Sequence, residues 1–150
     1  TGLSREHYRV SIADRRAAAK IAQKYDWKPR KTYNPPSIDI LSRAFDTNDH
    51  FLAFLIGFID GDGHIVKSHH GIRVENHASW IDFHQFLLDT PRRIGIVTRD
   101  IKAAINGDGY SDFNLNHYAT EHLKRFIDKH QLTILTRKWD KINSTKPSKI

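Results

Sequence analysis

Leu55-Ile56-Gly57-Phe58-Ile59-Asp60-Gly61-Asp62-Gly63 is the stretch on which the reading of this chain turns. It continues an apolar run that begins at Phe51. The pattern predicts a helix from Phe51 to Asp60, capped by Asn48 or Asp49 and stopped by Gly61-Asp62-Gly63. Leu55, Phe58 and Ile59 are its expected core residues. Gly57 costs roughly 1 kcal/mol relative to Ala inside a helix, so close approach by another backbone is its expected role. Asp60 and Asp62 fall at the helix C-terminus, where the macrodipole disfavours negative charge. A hard cation reverses that penalty, and carboxylates with waters suit Mg²⁺. The same residues also make an ordinary helix stop, and spacing alone leaves both readings open.

Downstream, His64 to Ser68 and Ile72 to His77 alternate like two strands around His69-His70-Gly71. Ser79 with Asp82 has the pattern of a capping box for a helix to about Asp89, ended by Thr90-Pro91. Further strands are expected at Gly95 to Ala103 and Tyr110 to Leu115, joined by the hairpin signal Asn106-Gly107-Asp108-Gly109. A helix from about His117 to His130 and a last one from Thr136 to about Ile142 complete the chain, before a polar tail. The order from Thr47 is α-β-β-α-β-β-α plus a terminal helix. The class is α+β, with four strands in two hairpins.

Upstream the character changes. Residues 1–46 carry 10 Lys+Arg against 5 Asp+Glu, while residues 47–150 carry 14 against 12, so most of the net +7 lies in the first third. A helix from Ile12 to Tyr25, capped by Ser11, is expected there. Pro29, Pro35 and Pro36 exclude helix from residues 26–36, which read as a linker or extended arm. Ser37 to Phe45 reads as a short capped helix. We therefore divide the chain into a basic helical N-terminal extension, 1–46, and a domain at 47–150. A length of 150 residues, with 39% hydrophobic and 27% charged, suits one cored domain with an appendage. The absence of Cys removes disulfides, zinc-thiolate sites and thiol nucleophiles. The apolar run at Phe51 is too short to span a bilayer, so no membrane partner is expected. No signal-peptide pattern opens the chain, and its first residue, Thr1, points to a trimmed or engineered start. An intracellular, polyanion-binding protein is the expectation from charge.

The nine residues resemble the motif that names the LAGLIDADG homing endonucleases, matching at Leu55, Gly57, Ile59-Asp60 and Asp62-Gly63. The element order over 47–150 is similar to one family repeat, as are Ser111-Asp112-Phe113-Asn114-Leu115 and Leu132-Thr133-Ile134-Leu135-Thr136-Arg137-Lys138. The resemblance implies an αββαββα endonuclease fold whose two hairpins join into one four-stranded antiparallel sheet, a saddle on double-stranded DNA. It implies a homodimer, because one motif is half a site, with Leu55, Gly57 and Phe58 at the interface. It implies Mg²⁺, with Mn²⁺ as a substitute and Ca²⁺ as a non-cleaving one, held by Asp62 and the Gly61 carbonyl. The cation that steadies the phosphate falls on Arg137 or Lys138. His77 occupies the place of a polar, water-holding strand-end residue. The implied activity is a site-specific double-strand break in a long, near-palindromic site, serving intron homing or a free-standing gene. The host, whether an organelle (mitochondrion or chloroplast) or a prokaryote or phage, stays open.

Reading of DNA is expected from the outward faces of the strands, at Lys67, Arg73, Arg99 and Lys102, then His69 and Tyr110. Arg30 and Lys31, with Arg15, Arg16, Lys20 and Lys28, suit phosphate contact by the extension. Trp27 and Tyr33 are alternatively anchors of that arm on the domain. Ten histidines show no His-Glu-x-x-His spacing, which argues against zinc. The first hairpin is short, with Asp62 and Ser79 only 17 positions apart, and no Gln ends the second strand. Those departures favour the rival reading, a non-catalytic binder of nucleic acid, RNA included, on the same fold: an RNA maturase, a ribosome-associated protein or a transcription factor.

Overall fold

A computed structural model describes residues 13–66, 68, 70–97 and 101–143. Among them are six helices and a four-stranded antiparallel sheet, an α+β arrangement. The helices are α1 (Arg15–Lys24), α2 (Ile38–Ala44), α3 (Asn48–Asp62), α4 (Ile81–Arg93), α5 (His117–His130) and α6 (Thr136–Asn143). The strands are β1 (Gly63–Val66), β2 (Gly71–His77), β3 (Ala104–Ile105) and β4 (Tyr110–Leu115), in spatial order β1-β2-β4-β3. The expected order of elements from Thr47 is the observed one.

The central helix is longer than expected. Thr47, not Asn48 or Asp49, caps it, its hydroxyl accepting from the His50 N–H at 3.2 Å. The helix also continues through Gly61 to Asp62, and only Gly63 ends it. Gly63 has an ordinary φ of −87°, so it is not there for a left-handed turn. A Cβ on it would lie 2.9 Å from the Ile59 carbonyl oxygen, which excludes a side chain. Phe51, Leu52, Leu55, Ile56 and Ile59 are buried and form the middle of the core.

Alternation does the same for the sheet. Ile65, Ile72, Val74, Phe113 and Leu115 point inward, under α3, α4 and α5. Burying each such side chain contributes about 1.5–3 kcal/mol. Arg73, Glu75, His77, Tyr110, Asp112 and Asn114 alternate with them on the outer face.

Three local expectations change. Asp14, expected inside α1, is its cap, accepting from the Arg16 and Ala17 N–H groups; Ser11 lies outside the described residues. Pro91 does not end α4, which runs on to Arg93. The Pro91 carbonyl accepts from both Ile96 and Val97, and Gly95 takes φ +77° to let the chain fold back. That segment is occupied in finishing α4, and among the described residues none of the strand expected at Gly95 to Ala103 is seen; β3 lies beyond it, at Ala104–Ile105.

Two glycines of the central stretch should respond oppositely to alanine. Gly63→Ala should cost about 1–3 kcal/mol in urea unfolding, as overpacking does. Gly57→Ala, with nothing within 4 Å of the new methyl, should raise the single chain's stability by roughly 0.5–1 kcal/mol. A neutral Gly63→Ala would show that the contact with Ile59 relaxes freely.

Candidate functional site

The last four carbonyls of a helix have no partners within it. At the end of α3 two of them, and the carbonyl of the capping Gly63, are met from 75 or more residues away. The Lys138 ammonium donates to the carbonyls of Ile59 (3.1 Å), Asp60 (2.6 Å) and Gly63 (2.6 Å). Asp60 completes the joint: its carboxylate accepts from the Leu135 N–H at 2.9 Å and from the Trp139 indole N–H at 2.6 Å. Trp139 is wholly buried. Burial holds the Lys138 pKa below the usual lysine value, with Arg137 adding to the shift and Asp60 opposing it. Lys138 is thus a cap for α3, its ammonium half-buried against the helix end. Arg137, one residue before it, is exposed.

Asp62 stands on the other side of the same helix end. It is exposed and lines a cleft of about 280 Å³ with Lys31, Thr32, Glu75, Asn76, His77, Trp80 and Tyr110. Its Oδ2 accepts from the Asn76 amide at a long 3.4 Å. Behind Asn76, its Oδ1 meets His84 Nε2 at 2.8 Å, and His84 Nδ1 meets the Ser111 hydroxyl at 2.7 Å. His84 and Ser111 are completely buried. Burial lowers the His84 pKa from 6.5 to about 4 against the opposing pull of Asp112 and Asp62, so the ring is neutral at pH 7. The sequence reading missed Asn76, His84 and Ser111 as members of the site.

Of the interface candidates, Leu55 is corrected outright: it is 1% exposed and packed in the chain's own core. Phe58 is half-buried, stacked on Trp80 and edge-on to Phe83. Gly57 is exposed, on the open face of α3 with His50 and Gly61. Among the described residues, nothing approaches within 4 Å of where a Gly57 Cβ would stand. Gly61 lies in the last turn of α3, so its carbonyl belongs to the helix end.

The outer sheet face is less basic than expected. Its charged residues, among the described strands, are Arg73, Glu75 and Asp112. Arg73 donates to both carboxylates, at 2.7 and 2.9 Å, and its Nε is buried without a partner. The guanidinium lies on the outer face as expected, with its charge matched there by two carboxylates. His77 Nδ1 accepts from the Ser79 N–H and caps the Ala78–Trp80 turn, so Ser79 is not the cap of α4. Tyr110 is exposed at the cleft, and Lys102 is exposed outside the strands. Lys67, His69 and Arg99 lie outside the described residues.

The arm supplies what the sheet face lacks. Pro29 to Asn34 closes into a loop through the Asn34 amide, which donates to the Pro29 carbonyl at 2.8 Å. The loop is fastened to the domain by the Trp80 indole, which donates to the Thr32 carbonyl at 2.9 Å, and by Tyr33, edge-on to His77 at 4.7 Å. Lys31 therefore lines the cleft that Asp62 lines. Tyr33 is an anchor; Trp27 is 60% exposed and tilts against Tyr25.

One chain does not complete a metal centre: among the described residues, no three His, Asp or Glu side chains converge on a point that could hold an ion. No described helix is long and apolar enough to cross a membrane. The chain matches no protein-family model, no curated protein and no solved structure.

The two acids should separate cleanly. Asp60→Ala should destabilise the fold by about 2–4 kcal/mol in urea unfolding, because two donors lose a charged acceptor. Asp62→Ala should stay within about 0.5 kcal/mol of wild type. Equal losses would contradict the division of roles.

His84 adds a pH signature. Its folded pKa lies below its unfolded one, so the unfolded chain takes up the proton first. The stability it contributes is complete above pH 6.5 and is lost as pH falls toward about 4. The loss is about 3 kcal/mol in size. Unfolding free energies of wild type and His84→Gln across that range should converge as pH falls; parallel curves would contradict the assignment.

Proposed function

We propose that the chain is one half of a metal-dependent DNA endonuclease of the LAGLIDADG type, acting as a homodimer on a long, near-palindromic site. The observation that carries this reading is the end of α3. Asp60 and Lys138 are spent on fastening it, while Asp62 is left exposed at a cleft walled by Lys31. An acid held at a finished helix end, with no structural bond as strong as those of Asp60, suits a ligand role.

The donor chemistry fits Mg²⁺. Asp62 and the Gly61 carbonyl offer hard oxygens where the helix dipole is negative. When bound, the metal supplies an activated water and stabilises the leaving oxygen. A second copy of Asp62 completes the donor set that one chain lacks. The exposed face of α3 at His50, Gly57 and Gly61 is where two such helices would pair around a two-fold axis. This chain's own residues do the rest: Asn76 holds one Asp62 oxygen, Lys31 and the exposed Arg137 place positive charge near the phosphate, and the basic extension tracks the DNA backbone.

A second reading is favoured by the sheet face, where Arg73 is neutralised by Glu75 and Asp112. It is a non-catalytic nucleic-acid binder on the same fold, gripping through the extension.

Selection of bound and cut sites from a random duplex pool distinguishes them. The nuclease reading expects cutting at a two-fold symmetric site with Mg²⁺, binding alone with Ca²⁺, and no cutting by Asp62→Asn. Binding without cutting, or RNA-only capture, establishes the binder instead.

A further inference from the structure

We infer that His84 is a positioning residue for Asp62, acting through Asn76, with the Ser111 hydroxyl holding its ring from behind. The role in catalysis rests on the nuclease reading; the chain of bonds does not.

An asparagine side chain has a donor end and an acceptor end of nearly equal shape, so packing alone does not choose between them. Asp62 chooses. An ionised carboxylate only accepts, so the Asn76 NH₂ faces it and Asn76 Oδ1 faces inward. His84 must then donate from Nε2. Its Nδ1 is left as an acceptor, and the buried Ser111 hydroxyl rotates to donate to it. Four residues on four elements (β4, α4, β2 and α3) are therefore joined by three hydrogen bonds that run in one direction, from the Ser111 donor in the core to the Asp62 acceptor at the cleft. The opposite direction would set Asn76 Oδ1 against a carboxylate oxygen, acceptor against acceptor.

The inner members have no freedom to depart from this. His84 and Ser111 are 0% exposed, and the ring is packed edge-on to Phe113 at 5.1 Å. A buried polar group without a partner is costly, so both ring nitrogens are kept bonded. The consequence at the surface is that one oxygen of an exposed aspartate is held by a donor whose own orientation is fixed in the core. The other oxygen is presented to a ligand with less freedom to lose on binding. Side chains that orient a ligand from behind typically change activity or affinity by about 10- to 100-fold when removed.

The test has one readout independent of activity and one that depends on it. Long-range ¹⁵N–¹H spectra of the full chain at neutral pH report the His84 tautomer. Wild type should show Nε2–H alone, and Asp62→Asn, which removes the charge that sets the direction, should admit the Nδ1–H form. An Nδ1–H wild type, or a tautomer indifferent to Asp62→Asn, overturns the chain of bonds even in a protein that cuts DNA. In single-turnover cleavage of saturated duplex, His84→Leu should slow the rate by roughly 10- to 100-fold without changing duplex affinity. His84→Gln, which keeps a donor, should recover much of the loss. Equal losses in both variants overturn the positioning role. Failure of wild type with Mg²⁺ to cut any duplex overturns the catalytic role together with the nuclease reading, and the spectra then judge the bonding alone.

Discussion

A single ammonium group finishes the central helix. Lys138 donates to three carbonyls at the end of α3, and Asp60 answers by accepting from the backbone and indole at the start of α6. The exchange solves two problems of physical chemistry together. The helix end gains donors and a positive charge where its dipole is negative. The short α6, too small to be stable by itself, gains a fixed seat with Trp139 driven into the core. Everything at the candidate site depends on this joint, because it sets where the helix stops and hence where Asp62 projects.

The site is layered outward from the core. Ser111, His84 and Asn76 form a polar seam through a wall that is otherwise apolar, with Phe113 and Phe83 beside it. Such a seam is stable only when each member is bonded, and it then specifies one arrangement of its neighbours. The outer sheet face obeys another logic. Arg73, Glu75, Asp112 and Asn106 tie one another together across β2, β4 and the hairpin loop. That network stiffens the face and uses up its charge. Positive charge reaches the cleft from the arm, held there by Trp80 and Tyr33. The division at residue 46 describes composition well, but the arm packs against the domain it precedes.

Much of the fold was legible because it is written in periodicity and punctuation. The apolar stripe of α3, the alternation in β2 and β4, and the Asn106–Gly109 turn each act locally, and each appears where expected. Gly109 takes the positive φ, +79°, that such a turn requires. The misses are non-local. Nothing near Lys138 in sequence announces that its partners lie at Ile59 to Gly63. Spacing could not separate Asp60 from Asp62, since the difference is whether a backbone N–H from Leu135 and an indole arrive. Asn76 carried a usable signal: it shares inward parity with Ile72 and Val74, so a polar group there needed a buried partner. His84 carried the matching one, lying on the buried stripe Phe83, Leu87 and Leu88 of α4.

The account turns on Asp62, and not Asp60 or Lys138, being the ligand-bearing group at the end of α3. Anomalous diffraction from Mn²⁺ in crystals of the chain bound to its selected duplex locates the metal directly. The account predicts Mn²⁺ against Asp62 carboxylates from two copies of the chain, with Asp60 still bonded to Leu135 and Trp139. Metal on Asp60, or metal bound nowhere near Asp62, would contradict it.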